Sequence, residues 1–199
     1  MPKRAETALV LASSSPYRKE LLQRLGLEFT SQAPDIDESP AENEPPEQLV
    51  RRLARQKAET VAKKHPEAIV IGSDQVAVHD GQILGKAGSV ENAAAQLRRL
   101  SGQCVDFLTS LCVLGPSAAL PLQHIDRTRV QFRPLSEREI TAYLEKDRAW
   151  DCAGSFKVES LGVCLFERIE NKDPTALQGL PLIRLCDFLR QLGVNPLMA

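Results

Sequence analysis

The sequence predicts an α/β fold with a mixed sheet, and three observations predict it. Apolar, strand-like runs recur at residues 7–12, 68–73, 104–114 and 122–132. Stretches with helical spacing of apolar residues separate them, at 16–25, 47–64, 89–100, 136–147 and 181–192. Asp80–Gly81 is a tight-hairpin dipeptide, so antiparallel pairing is expected too. The expected architecture is one domain over residues 1–199, with two interleaved lobes, a two-lobed mixed β-sheet, flanking helices and a central cleft.

Composition bounds the function. The 199 residues are 43% hydrophobic and 26% charged with a formal net charge of −1, an ordinary soluble balance with no basic field for nucleic acid or membrane. No apolar run is long enough to span a bilayer, and the first residues lack the apolar core of a secretory signal, so a cytoplasmic location is expected. The five cysteines are scattered with no C-x-x-C pair, which argues against structural zinc and a disulfide framework.

Taken in order, the first strand at 7–12 runs into Ser13-Ser14-Ser15-Pro16. Ser15 is placed as the N-cap, Pro16 suits the first helical position, and Gly26 suits a left-handed terminator. Such a helix start gathers unpaired N–H groups and hydroxyls where an anion can sit. Arg18 stands in the first turn, where a cation works against the dipole. A phosphate grip by Arg18 and the serines competes there with an ordinary capped helix.

A second strand is expected at 28–33. Asp35, Asp37 and Glu38 then crowd between Pro34 and Pro40, either as oxygen ligands for a divalent cation or as a solvated acidic turn. The helix at 47–64 carries an apolar stripe through Val50, Leu53, Ala54, Ala58 and Val61. Lys57 lies on that stripe, either snorkelling or reaching into a cleft.

The run 68–73 predicts a buried strand ending at Asp74, followed by Gln75 and another strand at 76–79. A carboxylate at a buried strand end is costly without a cation beside it. After the hairpin, a strand at 82–84 ends at Gly85–Lys86, which brings Lys86 towards Asp74. Ser89 caps a helix to Leu100, strands follow at 104–114 and 122–132, and residues 115–121 form a connecting loop. Ser136 and Glu139 are spaced for a capping box. The small residues of Ala153-Gly154-Ser155 admit close approach of a ligand, Glu159 follows, a last strand is expected at 163–169, and Gly179-Leu180-Pro181 opens the final helix.

Neither a P-loop nor a G-x-G-x-x-G turn is present, and the three histidines follow no catalytic motif. What remains is a set of cations (Arg18, Lys57, Lys86) and carboxylates (Glu38, Asp74) near the ends of regular elements. Such a set suits metal-assisted chemistry on a polyphosphate.

LASSSPYRKELL, Asp37-Glu38, RLARQKA, IGSDQV, LGK, CAGSFKVE and GLP occur in order along nearly the whole chain. In these motifs the chain resembles the Maf family of nucleoside triphosphate pyrophosphatases, whose fold is Maf/ITPase-like. Tyr17, Gln75 and Glu159 make it most similar to the YceF-type subgroup, the 7-methyl-GTP pyrophosphatases. The dTTP/UTP subgroup would have Arg, Thr and Gln there, and the YceF-type aromatic is often Trp rather than Tyr.

The resemblance implies cleavage between the α and β phosphates to a nucleoside monophosphate and diphosphate, with a divalent cation, Mg2+ or Mn2+. Asp74 is the implied proton acceptor. Ser15, Arg18, Lys57 and Lys86 are implied to hold phosphates, with Glu38 assisting metal or water and Asp74 and Glu38 as the metal's ligands. The expected partner is a small-molecule nucleotide, with a homodimer left open and neither nucleic acid nor membrane expected. Pyrimidine triphosphate hydrolysis and nucleotide-dependent regulation of cell division or septum formation are the alternative functions.

Overall fold

The computed structural model describes residues 8–116 and 120–198. Thr7, expected to open the first strand, and residues 117–119 of the connecting loop lie outside the described residues. The elements are β1 (Leu9–Ala12), α1 (Pro16–Gln23), β2 (Thr30–Ser31), α2 (Pro46–Ala62), β3 (Ile69–His79), β4 (Gln82–Leu84), α3 (Val90–Leu100), β5 (Cys104–Leu114), β6 (Leu122–Phe132), α4 (Glu137–Asp147), β7 (Phe166–Glu170) and α5 (Leu182–Gln191). The described strands run β2-β1-β3-β5-β6-β7, with β4 paired to β3 off this path. β1 is parallel to β2 and β3, whereas β3–β4 and β6–β7 are antiparallel. The sheet is mixed.

The chain divides into two compact units, each gathered from separate stretches. One comprises Met1–Asp74, Thr109–Asp126 and Asp173–Ala199, and the other Gln75–Leu108 and Arg127–Lys172. In the first, the period-two alternation of strand side chains decides which helix each residue meets. Leu9, Leu11, Ile69 and Ile71 join a cluster with Leu21 and Leu22 of α1 and Leu185 and Leu189 of α5. Val10, Ala12 and Val70 face the other way, towards Ala54, Ala58 and Val61 of α2. Both faces of β1 and of the first half of β3 are therefore buried, which is why these strands are continuously apolar. Helix α1 has eight residues, too few to persist alone. Burial of Leu21 and Leu22 supplies about 1.5–3 kcal/mol each towards holding it.

The second unit is built on aromatic edge-to-face packing. Phe156 lies T-shaped against Phe107, Phe132 and Phe166 with ring centroids 4.8–5.7 Å apart. Gly154 at φ +76° and Ser155 at φ 58° make the turn that delivers Phe156 into this cluster. α4 begins with the full capping box between Ser136 and Glu139.

Three expectations change. The two strands predicted around Asp74 are one strand of eleven residues, so Asp74 lies within β3 rather than at its end. Pairing of Gly72 with Ala12 before Asp74 and of Ala77 with Leu84 after it overrides the weak strand preference of Gly and Asp. The strand expected at 28–33 shrinks to two exposed residues on a sheet edge. The last strand starts at Phe166, because residues 161–165 form a 3₁₀ turn. Its entry is anchored by the Gly162 N–H donating to the Lys157 carbonyl at 2.9 Å.

Candidate active site

The site in the first unit begins with the packing of α2 on β3. Gly72 has no side chain, and a Cβ there would lie 2.3 Å from the Ala54 carbonyl oxygen and 2.9 Å from the Ala58 nitrogen. Only glycine lets the helix approach so near. Lys57 sits between Ala54 and Ala58 in sequence, and its ammonium reaches Asp74 Oδ1 at 2.5 Å. Both side chains are withdrawn from water, Lys57 being 7% and Asp74 9% exposed. A buried ion pair roughly breaks even against an apolar pair of the same volume. Stability therefore gives no reason for this one, and desolvated charge pairs of this kind are concentrated at functional sites.

Glu38 closes the group from the rim. Its Oε1 lies 2.8 Å from Lys57 Nζ, and its side chain is 57% exposed. One ammonium thus joins two carboxylates from separate elements. Burial pushes the Asp74 carboxyl above its ordinary range and the negative Glu38 adds to the rise, while Lys57 and Arg18 pull against it.

The turn from β1 into α1 supplies the next part. Ser15 caps α1, accepting from the Arg18 N–H at 3.4 Å, and its own N–H donates to Ser13 Oγ at 3.1 Å. Arg18 Nε donates to the Gly179 carbonyl at 2.9 Å, and Ser73 Oγ donates to the same oxygen at 2.8 Å. Gly179 takes φ +109°, a conformation that side chains rarely adopt. Desolvation lowers the Arg18 pKa, and the nearby charges of Asp74 and Glu38 oppose that fall. With Nε held by Gly179, the two Nη groups are the donors available to a bound anion.

The structure thus brings together Glu38, Lys57 and Asp74, and sets the charge of Arg18 on the same group. Ser15 is the cap one turn before Arg18, and Tyr17, half-buried, is its neighbour on α1. The other candidates belong to the second unit. Gln75 follows Asp74 in β3 and is half-buried; Lys86 is exposed and bridges to Ala153; Glu159 is exposed.

Sequence reading gave no role to Ser73 or to the Gly179 carbonyl, although GLP stood among the matched motifs. It also missed Asp173 and Thr175. Asp173 Oδ2 accepts from the Ile183 N–H at 2.7 Å and Thr175 Oγ1 from the Leu182 N–H at 2.8 Å, satisfying the start of α5 just after Gly179. A distant cap of this kind has no local spacing to reveal it.

Among the described residues no group of three or more His, Cys, Asp or Glu side chains converges as a closed metal cage. Asp74 and Glu38 are nevertheless two hard oxygen donors meeting at one ammonium. That pair fits a cation such as magnesium, which is commonly held through one or two carboxylates with substrate phosphates and water completing the shell. The arrangement offers fixed cations for a polyanion and a desolvated carboxylate able to take a proton.

Comparison with known proteins agrees in extent. The family model for Maf-like protein matches residues 8–192. The chain is 52% identical over 193 residues to the 7-methyl-GTP pyrophosphatase of Nitrosococcus oceani, covering 97% of each chain. It is 54% identical over 187 residues to the 7-methyl-GTP pyrophosphatase of Pseudomonas aeruginosa, covering 94% of this chain and 97% of that one. Among solved structures, the Staphylococcus aureus Ham1 protein is similar at a TM-score of 0.44 and 17% identity, over 63% of this chain and 72% of that one. With nearly its whole length matched, the chain belongs to the Maf family.

Proposed function

We propose that the protein is a nucleoside triphosphate pyrophosphatase that converts 7-methyl-GTP to 7-methyl-GMP and diphosphate, removing a modified nucleotide in the cytoplasm. The single observation that carries this reading is the desolvated Lys57–Asp74 pair with Arg18 and Glu38 acting on it. The names of the relatives at about 50% identity support the choice of substrate. No helix among the described residues is long and apolar enough to cross a membrane.

In this reading Arg18 presents its Nη groups to phosphate oxygens while Gly179 holds Nε. Ser15 adds a hydroxyl at the helix start, and Lys57 and Lys86 add positive charge. Asp74 is the proton acceptor. As water forms its bond to phosphorus, its proton passes to the carboxylate, and the bridging oxygen of the α–β link leaves with diphosphate. The Lys57 ammonium on Oδ1 fixes the carboxylate's orientation. Asp74 and Glu38 would hold a divalent cation, Mg2+ or Mn2+, whose contribution when bound is to neutralise phosphate charge.

Base choice is proposed to rest on Tyr17, Gln75 and Glu159. Methylation at N7 leaves guanine with a delocalised positive charge that favours an aromatic face such as that of Tyr17. A carboxylate at Glu159 can accept from guanine N1–H and the N2 amino group while offsetting that charge. The test is release of monophosphate from 7-methyl-GTP, GTP, UTP and dTTP, each with and without magnesium. Preference for 7-methyl-GTP is expected. Preference for UTP or dTTP would move the protein to the pyrimidine substrates, and no turnover of any triphosphate by folded protein would make it a nucleotide-binding regulator.

A further inference from the structure

The acidic loop that carries Glu38 has almost no apolar footing. Residues 34–45 contain neither helix nor strand. A cavity of about 760 Å³ opens between the loop, at Ile36, Asp37 and Pro40, and α2, at Gln56, Thr60 and Lys63. Arg52, at the edge of that space, ties the loop to the helix. Arg52 Nε and Nη2 grip the Glu44 carboxylate, each at 2.7 Å, and Nη2 also donates to the Ser39 carbonyl at 3.0 Å. Its Nη1 is braced by Gln56 Oε1 at 3.0 Å, one turn along the same helix.

The grip is two-sided. Glu44 Oε2 accepts from the Ala41 N–H at 3.0 Å, so the carboxylate ties the loop to itself as well as to α2. Its side chain is only 7% exposed. Ser39, the residue whose carbonyl Arg52 holds, directly follows Glu38. Arg52 and Lys57 stand on the same helix, so the element that presents the ammonium also holds the loop that presents Glu38 to it.

We propose that Arg52 is a positioning residue: through Glu44 and the Ser39 carbonyl it clamps the acidic loop on α2 and sets Glu38 against Lys57. The inference rests on the pyrophosphatase reading for its catalytic consequence, although the clamp itself is independent of it. A planar fork engages both carboxylate oxygens, which a lysine cannot do. A loop carried on polar contacts over open space follows its clamp. When the clamp is removed, Glu38 leaves the ammonium, while the apolar faces of α2 stay packed.

The test combines Arg52→Ala, Arg52→Lys and Glu38→Gln with the double variant Arg52→Ala/Glu38→Gln, each confirmed as folded by its melting transition. Arg52→Ala is expected to lower kcat by about tenfold to a hundredfold, the scale of a misplaced catalytic group. KM should change less, and Arg52→Lys should recover only part of the loss. In the Glu38→Gln background Arg52→Ala should add almost nothing to the loss of kcat, since both substitutions remove the same contact. Multiplying losses in the double variant would overturn the proposal, as would an unchanged kcat in folded Arg52→Ala. Hydrogen exchange over residues 34–46 separates this failure from failure of the functional reading. Faster exchange in Arg52→Ala than in the unsubstituted protein establishes the clamp even if no triphosphate is turned over, and unchanged exchange removes it whatever the activity.

Discussion

Gly72 and Ala54 touch through their backbones: where β3 passes under α2, a methyl group on Gly72 would stand 2.3 Å from the Ala54 carbonyl oxygen. Neither partner can rotate away, since both contacts are main chain. Gly72→Ala should therefore push α2 off the sheet and destabilise the fold by about 1–3 kcal/mol or more, roughly 2–12 °C in melting temperature for a chain of this size. Because Lys57 rides on α2, turnover should fall in the same variant even below its melting temperature. Calorimetry and activity at low temperature check both halves, and an unchanged melting temperature would show that the close approach is dispensable.

The pH dependence follows from Asp74. Burial raises its pKa in the metal-free protein, whereas a cation bound to the same carboxylate would lower it. The acidic limb of the kcat profile should vanish in Asp74→Asn; a limb above the ordinary value of about 4 marks Asp74 as the free base, and a limb below it marks Asp74 as a ligand of the cation. The stability effect has the opposite sign. The folded state binds this proton more tightly than the unfolded chain does, so the contribution is fully present below about pH 4 and is lost as pH rises through the folded value. Asp74→Asn should therefore gain in melting temperature relative to the unsubstituted protein as pH rises across that window. Thermal melts at several pH values measure this, and a constant difference would refute the raised pKa.

Arg18→Lys keeps the charge and loses the fork. Lysine cannot hold the Gly179 carbonyl through one nitrogen while offering two more. The loss of one or two charge-assisted hydrogen bonds corresponds to a fall in kcat/KM of about tenfold to a hundredfold. Steady-state kinetics on 7-methyl-GTP would show it, and a full-rate lysine variant would reduce Arg18 to a structural tie.

Glu159→Gln addresses base choice. The side chain is exposed, so the fold should be spared. The ratio of kcat/KM for 7-methyl-GTP over GTP should drop, because a neutral amide no longer offsets the charge of the methylated base. An unchanged ratio would remove Glu159 from recognition.

Much of the fold was legible because burial leaves a period. The stripe of α2, the double-sided apolar run of β3 and the Ser136–Glu139 box are local patterns, and the structure contains each of them. Lys57 stood out because a cation on an apolar stripe is out of place. Its partners were less legible. Asp74 looked like a strand end because Gly and Asp weaken local strand preference, whereas pairing with neighbouring strands decides the matter. The contact of Glu38 depends on a loop path held by Arg52 and Glu44, and no periodicity encodes it. Ser73 meets Gly179 across 106 positions through a main-chain carbonyl, which has no residue-type signature at all.

Asp74 is proposed to take the proton from the attacking water. The most direct test is single-turnover hydrolysis of 7-methyl-GTP by Asp74→Asn alongside equilibrium binding of the same nucleotide. Retained binding with turnover reduced by at least about a hundredfold is expected. Binding retained with a near-normal rate would contradict it.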